Sequence, residues 1–571
     1  MGNKGLGKGF GALTVALLMA TAAVAQAPVP GPVPAPVAAA VPIAAPPAVK
    51  PTPPQLVVAI AVDQFSADLF AQYRATFTGG LGRLAGGVVF PSGYQSHAAT
   101  ETCPGHSTIL TGYRPGHTGI VANNWIDQSV ARADKTVYCM EDPSAPGSSS
   151  DKYVQSLVRL RVPTLGERLK AVDSGSRVIA VSGKDRGAML LAGRQADETW
   201  WWDGKGFGSY AGHTAPTAVA SVNAAVARSI ADGHAAFASP ARCAPVSRPV
   251  ALSPTRSVGD GRFERKAGDA KAFRVSPELD AATLSLAASL LDSAKLGQRG
   301  HTDVLGISLS ATDTVGHAYG PGGGEMCIQL AALDAGLGLL FDRLDKTGID
   351  YLVVLTADHG GHDLPERNRQ NGAPDAARVD SALTIGAVNA ALETSTGVKG
   401  PLILGDGAFG DMYLRRDLSS ANRKKVLKAA LALYRGHPQV QTVFTHADLL
   451  AAPEPSGPPE AWSLLDEAKA SFDPERSGDF LVLLKPRVTP IPSPPGGAVA
   501  THGSPWGYDR RVPILFWRKG LTPFEQPLGV ETVDILPTLA AEIGLPLPAK
   551  GGPDGRCLDL RAGAETACPV R

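Results

Sequence analysis

Three short apolar runs, at residues 56–62, 303–309 and 351–355, each lead into an aspartate. The first is followed by Asp63, the second by Asp313 with His317 four residues further on, and the third by Asp358-His359. A short, nearly continuous apolar run is what a strand buried on both faces requires, and such strands belong to parallel sheets. Segments 177–181 and 512–517 read the same way, and the stretches 277–296 and 326–344 read as helices. Strands alternating with helices predict an α/β fold with a mainly parallel sheet. In such sheets ligands sit at the carboxyl ends of the strands. One aspartate at a strand end can be a helix N-cap. Three in one chain, two with a histidine close by, point to a metal. Asp and His together suit zinc, which takes oxygen and imidazole nitrogen; magnesium prefers oxygen alone. A further histidine, His502, stands in Thr501-His502-Gly503 ahead of the last predicted strand.

The ends of the chain and its composition narrow the function classes. Lys4 and Lys8 precede an apolar stretch at residues 10–25 that closes on Ala23-Val24-Ala25. A charged start, a short apolar centre and a small-residue end form a secretory signal, and cleavage is expected after Ala25. The stretch is shorter than the roughly 20 residues a membrane anchor needs, and no later segment reads as a span. Residues 26–55 read as an extended tether, because residues 28–54 hold 11 of the 47 prolines and cannot form a helix or a central strand. One catalytic unit is then expected over 56–560, with an insertion at about 200–275 that covers the active-site face. The aromatic cluster Trp200-Trp201-Trp202 could instead mark a carbohydrate- or protein-binding module, but such clusters more often pack than recognise. The whole chain carries 54 Lys+Arg and 53 Asp+Glu, or 52 − 53 = −1 after loss of the two leader lysines. That balance argues against a nucleic-acid binder, which would show a basic excess. The expected product is a periplasmic or secreted monomer that acts on small molecules and neither binds nucleic acid nor spans a membrane.

Export also bears on the six cysteines. An even count in an oxidising compartment allows three disulfides in 15 connectivities. Proximity along the chain favours Cys557–Cys568 first, then Cys103–Cys139 and Cys243–Cys327. Of the 12 histidines, His97, His213, His234, His301, His437 and His446 lie in ordinary polar or loop contexts and read as surface or structural. His106, His117 and His362 lie near the motifs and read as supporting or packing residues.

The segment Ala99-Thr100-Glu101-Thr102-Cys103-Pro104-Gly105-His106-Ser107 resembles the nucleophile motif of the alkaline phosphatase superfamily, in which a Thr or Ser starts a helix. Asp63, Asp313-x-x-x-His317, Asp358-His359-Gly360 and His502 match that superfamily's two-zinc ligand set in the same chain order. Asn123-Asn124-Trp125 and Lys184-Asp185-Arg186 narrow the resemblance to the phosphate-irrepressible alkaline phosphatases. It runs from about residue 56 to 558. It implies a three-layer fold with a mainly parallel central sheet, helices on both faces and cap-like insertions. It also implies two Zn²⁺ per chain: one held by Asp313, His317 and His502, the other by Asp63, Asp358, His359 and the Thr102 oxygen. Thr102 would be the nucleophile that forms a phosphothreonine, and Asn123, Lys184 and Arg186 would bind the phosphoryl oxygens, where the charge of the transition state is spread. No further carboxylate set would build an added Mg²⁺ site, and Lys184 supplies that positive charge.

The expected activity is hydrolysis of phosphate monoesters with secondary diesterase activity. The sulfatase pattern Cys-x-Pro-x-Arg fails, because Pro104 follows Cys103 directly. Cofactor-independent phosphoglycerate mutases use Ser and a different ligand pattern. Nucleotide pyrophosphatases/phosphodiesterases share the ligands, the Thr and the Asn, but lack the Lys-x-Arg pair. An exported metal- or phosphate-binding protein without turnover is the reading from another class, and an intact Thr102 argues against it.

Overall fold

A computed structural model describes residues 52–561 and 566–569. The expected signal peptide, residues 1–25, and the tether as far as residue 51 lie outside the described residues. In the strand Leu56–Val62 alternate side chains enter two separate apolar clusters. Leu56, Val58, Ile60 and Val62 join one, and Val57, Ala59 and Ala61 the other. Successive side chains of a strand point to opposite faces, so a strand covered on both sides is apolar at every position. Helices Pro277–Ser293 and Gly324–Thr347 cover the first face, and Leu165–Val172 and Ile535–Glu542 the second. These are the expected three layers.

The central sheet has ten strands. Leu56–Val62 lies between Asp303–Leu309 and Tyr351–Thr356 and runs parallel to both. Val178–Ser182 and then Glu198–Trp202 extend the parallel set. The registers are in phase: Val62 is level with Leu309, Ala61 with Thr356, and Ser182 with Ser308. Asp63, Asp358, Lys184 and Asp313 follow one, two, two and four residues after Val62, Thr356, Ser182 and Leu309, so the sheet delivers all four at one edge.

The segment 512–517, expected among the parallel strands, is antiparallel. Arg511–Arg518 runs against Tyr351–Thr356, with Leu355 opposite Leu515. The reversal has a use, because an antiparallel strand begins where its parallel neighbour ends. The chain ahead of Arg511, which carries His502 and Asp509, therefore enters at the carboxyl edge. Val88–Tyr94 is antiparallel to Arg511–Arg518, with Tyr94 opposite Arg511, so it too releases the chain at that edge, ahead of Thr102.

Trp200, Trp201 and Trp202 are strand residues of this sheet and are all buried; the cluster is packing, not a displayed binding surface. The 24-residue helix Gly324–Thr347 is apolar and long enough to cross a membrane by length and composition, contrary to the sequence expectation. It is a core helix, with Leu330, Leu333, Leu337 and Phe341 inside the first cluster. A second, four-stranded sheet of Ile403–Leu404, Gly410–Leu414, Phe480–Leu484 and Val440–Thr445 is antiparallel and packs with helix Ser420–Gly436 on its own core. The cysteines pair as Cys103–Cys139, Cys243–Cys327 and Cys557–Cys568, as chain proximity favoured.

Candidate active site

Thr102 is the first residue of the helix Thr102–Ile109, after an extended Glu101. Pro104 is tolerated there because the first backbone N–H groups of a helix have no intrahelical acceptor. Gly105 is required: a Cβ at that position would lie 1.9 Å from the carbonyl oxygen of Asp358. The helix therefore rests on the Asp358 backbone, which brings Thr102 Oγ1 to 3.5 Å from His359 Nε2. His106, one turn on, packs beneath. Its Nε2 lies 2.9 Å from Ser308 Oγ, and its Nδ1 lies 3.0 Å from the Thr102 carbonyl and 2.9 Å from Asp358 Oδ2.

Two sets of donor atoms meet at the sheet edge. Asp63, Asp358 and His359 each offer one atom within 4.8 Å of the others, and so do Asp313, His359 and His502. His317 joins the second set, its Nε2 standing 3.1 Å from Asp313 Oδ1. The two sets adjoin, since the His359 and His502 rings stack with centroids 3.6 Å apart. The ring orientations are fixed from behind: the Nδ1 atoms of His317, His359 and His502 lie 2.9, 2.8 and 2.8 Å from the carbonyls of Ala500, Gly360 and Thr100. A carbonyl can only accept, so each Nδ1 carries a proton, and in the neutral ring Nε2 faces the site as a lone pair. That is the arrangement of a metal-ligating histidine.

The carboxylates fit a cation too. Asp63 Oδ1 is buried without a hydrogen-bond partner, a costly state for a charged oxygen unless a cation meets it. Burial, reinforced by the charges of Asp313 and Asp358, pushes Asp63 up to about 6. Burial also opposes ionisation of Asp313, but His317 and Lys184 outweigh it and hold that carboxyl well below the usual range. Burial and the neighbouring His359 push His502 down to about 4, so its imidazole is neutral above that pH. Buried carboxylates beside outward-facing imidazole lone pairs are a donor set for a divalent metal.

Of the three other predicted residues, Asn123 lies beside the nucleophile helix, and Lys184 and Arg186 lie beside Asp313. Asn123 accepts through Oδ1 from the backbone N–H of Cys103 at 2.8 Å, while its own N–H donates to Glu101 Oε2 at 2.6 Å and its carbonyl accepts from Cys139 N at 2.9 Å. The Cys103 donor fixes the amide orientation, so the Asn123 NH₂ group is the end left for a ligand. Arg186 sits on helix Asp185–Ala192, one Nη 3.2 Å from the Tyr138 hydroxyl. Lys184 is placed differently from the simplest expectation. Its Nζ donates to Asp63 Oδ2 at 2.5 Å and Asp313 Oδ2 at 2.6 Å, and so bridges the two carboxylates. Lys184 and Arg186 nevertheless both line a cavity of about 430 Å³ together with Asp313 and His317.

Sequence reasoning missed four residues that hold these groups. Glu101 anchors Asn123. Gln64, with φ +65°, donates from its side chain to Asp313 Oδ1 at 3.1 Å and from its backbone N–H to Asp358 Oδ1 at 3.2 Å. Tyr138 donates to Asp185 Oδ1 at 2.8 Å, and Tyr153 to Asp185 Oδ2 at 2.8 Å. These contacts join distant segments, and no local spacing announces them. Asn123 and Tyr138 flank one hairpin, Asn124–Ile126 with Thr136–Tyr138, which Cys139 ties to Cys103 beside the nucleophile. The histidines read as surface or structural include His97, which is fully buried, and burial pushes it down to about 3.

The sequence model of the type I phosphodiesterase/nucleotide pyrophosphatase family matches residues 57–505. The chain is 58% identical over 521 residues to the alkaline phosphatase PhoK of a Sphingomonas species, covering 90% of this chain and 93% of that one. It is 48% identical to the alkaline phosphatase PhoD of Zymomonas mobilis, covering 90% of each. Among solved structures, that of the alkaline phosphatase PafA superposes with a TM-score of 0.75 at 25% identity, over 86% of this chain and 96% of that one. The chain thus belongs to the type I phosphodiesterase/nucleotide pyrophosphatase family and, within it, stands with the alkaline phosphatases.

Proposed function

We propose that this chain is an exported, two-zinc phosphate monoesterase that works through a phosphothreonine, with weaker activity on diesters. The observation that carries the reading is Thr102 at a helix start, beside His359, which two Asp/His donor sets share, with Asn123 held against the Cys103 N–H and Lys184 and Arg186 on the wall of the adjoining cavity. Asp63, Asp358 and His359, with the Thr102 oxygen, would hold one zinc; Asp313, His317 and His502 would hold the other. Bound zinc supplies Lewis acidity to the attacking and departing oxygens.

The chain's own groups do the rest. Thr102 Oγ1 loses its proton and bonds to phosphorus as the bond to the ester oxygen breaks, and the alcohol leaves with a proton. Water then cleaves the phosphothreonine, releasing phosphate and restoring Thr102. The Asn123 amide donates to one non-bridging oxygen. The Arg186 guanidinium offers a planar pair of donors to the others. Lys184 offers a point charge and offsets the negative charge of Asp63 and Asp313. These groups act where negative charge spreads in the transition state.

Export is supported by three disulfides, which persist in oxidising compartments. Assays of 4-nitrophenyl phosphate and bis(4-nitrophenyl) phosphate with zinc-loaded enzyme test the reading. The monoester should be strongly preferred, and elemental analysis should give about two zinc per chain. Preference for the diester would assign the phosphodiesterase reaction instead, and turnover of neither would leave a binding protein.

A further inference from the structure

The cavity of about 430 Å³ lies on one side of the site. Asp313 and His317 line it, whereas Asp63, Asp358 and His359, the set nearest Thr102, do not. In-line displacement sends the departing oxygen away from the nucleophile. On the monoesterase reading, the leaving group therefore exits into this cavity.

Two further walls of the cavity are Arg256 and Arg274, both from the segment 203–275. Arg256 opens the strand Arg256–Val258, and its guanidinium donates to the carbonyls of Pro495 and Gly497 at 2.8 and 2.7 Å. Those acceptors are neutral, so they fix the side chain without cancelling its charge. Arg274 ends the helix Ala270–Arg274, and its carbonyl accepts from Thr314 Oγ1 at 2.8 Å, which seats its backbone one residue from Asp313. The Arg274 side chain is exposed and, among the described residues, has no carboxylate partner. The lining holds four cations, Lys184, Arg186, Arg256 and Arg274, against one carboxylate, Asp313, which Lys184 already meets.

On the same reading Lys184 and Arg186 serve the phosphoryl group of any monoester. Arg256 and Arg274 have nothing to meet there unless the leaving group is itself charged. We infer that the segment 203–275 builds a second anion subsite, which favours phosphate monoesters whose leaving group carries a further phosphate or carboxylate. The inference rests on the monoesterase reading for the direction of departure. Charge in an open cavity is screened by salt, so the preference should weaken as ionic strength rises.

The test uses phenyl phosphate with its 3-carboxy and 3-phosphono derivatives, comparing wild type with Arg274→Ala, Arg274→Glu and Arg274→Lys. Comparing each derivative with the parent, variant against wild type, cancels differences in leaving-group reactivity. Arg274→Ala should lower kcat/KM for the charged derivatives about three- to fivefold more than for phenyl phosphate. Arg274→Glu should widen that gap to about tenfold, and Arg274→Lys should keep most of the preference. Loss with the phosphono derivative alone would assign the subsite to phosphates, and loss with the carboxy derivative alone to carboxylates. Ratios unchanged within about twofold in both Ala and Glu variants would overturn the inference. Calorimetric binding of benzylphosphonate against 3-carboxybenzylphosphonate gives the same comparison without turnover. If wild type hydrolyses none of the esters, the monoesterase reading fails, and an Arg274-dependent gap in binding still decides the subsite.

Discussion

The nucleophile side and the leaving-group side of this site are built from different material. Around Thr102 the side chains are buried or half-buried and tied down. The helix rests on Asp358 through Gly105, His106 packs beneath, Cys103 is bonded to Cys139, and Asn123 is held through its N–H, its carbonyl and its Oδ1. On the other side the His317 side chain is 29% exposed, and the wall beyond it comes from short elements carrying Arg256 and Arg274. A densely hydrogen-bonded buried network fixes one geometry, whereas a solvent-facing wall can change without disturbing the core. The chemistry thus resides where the fold is rigid, and selectivity where it is open.

The strongest way to break this comparison is Thr102→Ala. Its kcat should fall by about 10⁴ or more, with the fold retained. Acid-quenched wild type should carry phosphate on Thr102 and on no other residue. Label elsewhere, or an active variant, would remove Thr102 from the rigid side's central role.

Next in size is Lys184→Ala combined with Arg186→Ala. A monoester has two negative charges on its non-bridging oxygens and a diester one, so the pair should matter more for the monoester. Loss of such contacts typically costs about 10²–10³ in rate. kcat/KM for 4-nitrophenyl phosphate should fall by that order, and for the bis ester by much less. Equal losses would mean that the pair maintains the Asp63–Asp313 geometry and does not bind phosphate.

A smaller effect tests whether rigidity extends through the hairpin. Tyr138 contacts both Arg186 and Asp185 through one hydroxyl. Tyr138→Phe removes a hydrogen bond to charged groups, an effect of roughly tenfold. The loss should appear in kcat/KM for monoesters and should vanish in an Arg186→Ala background. Additive losses would make Tyr138 a packing residue only.

The same contrast decides what could be read from the sequence. The strands at 56–62, 303–309 and 351–355 were legible because burial on both faces demands unbroken apolar runs. Asp63, Asp313 and Asp358 were legible because in-phase registers place residues after such runs at one edge. The direction of Arg511–Arg518 was not legible, since an antiparallel strand covered on both faces has the same apolar pattern. The small antiparallel sheet went unread as well. Its Gly410–Leu414 and Val440–Thr445 strands are only partly buried and give a weaker signal. Asn123, Lys184 and Arg186 came from the resemblance, while Glu101, Gln64 and Tyr138 act through partners far along the chain. Arg256 and Arg274 carry no motif; only their place on the cavity wall distinguishes them from other surface arginines.

The smallest expected effect concerns Asp63, which lies on the floor between the two sides. Its carboxyl is pushed up to about 6 from an ordinary value of 3.8, first by burial and then by the charges of Asp313 and Asp358. A raised carboxyl pKa means that the folded state binds the proton more tightly than the unfolded state. Stability from this group is therefore present below pH 3.8, is lost as pH rises to about 6, and stays lost above. In chelated protein, Asp63→Asn removes that cost, because a neutral amide has no charge to bury. Chelated Asp63→Asn should melt a few degrees above chelated wild type at pH 8, and the gap should shrink towards pH 4.5. Other groups titrate in the same range, but they are common to both proteins and cancel in the difference. Adding zinc should reverse the order at pH 8, because wild type regains a ligand that the variant lacks. A gap of the same size at both pH values would show that Asp63 bears no electrostatic strain. A chelated variant less stable than wild type at pH 8 would show that the Lys184–Asp63 contact outweighs burial, and that this floor is held by its ion pair without metal.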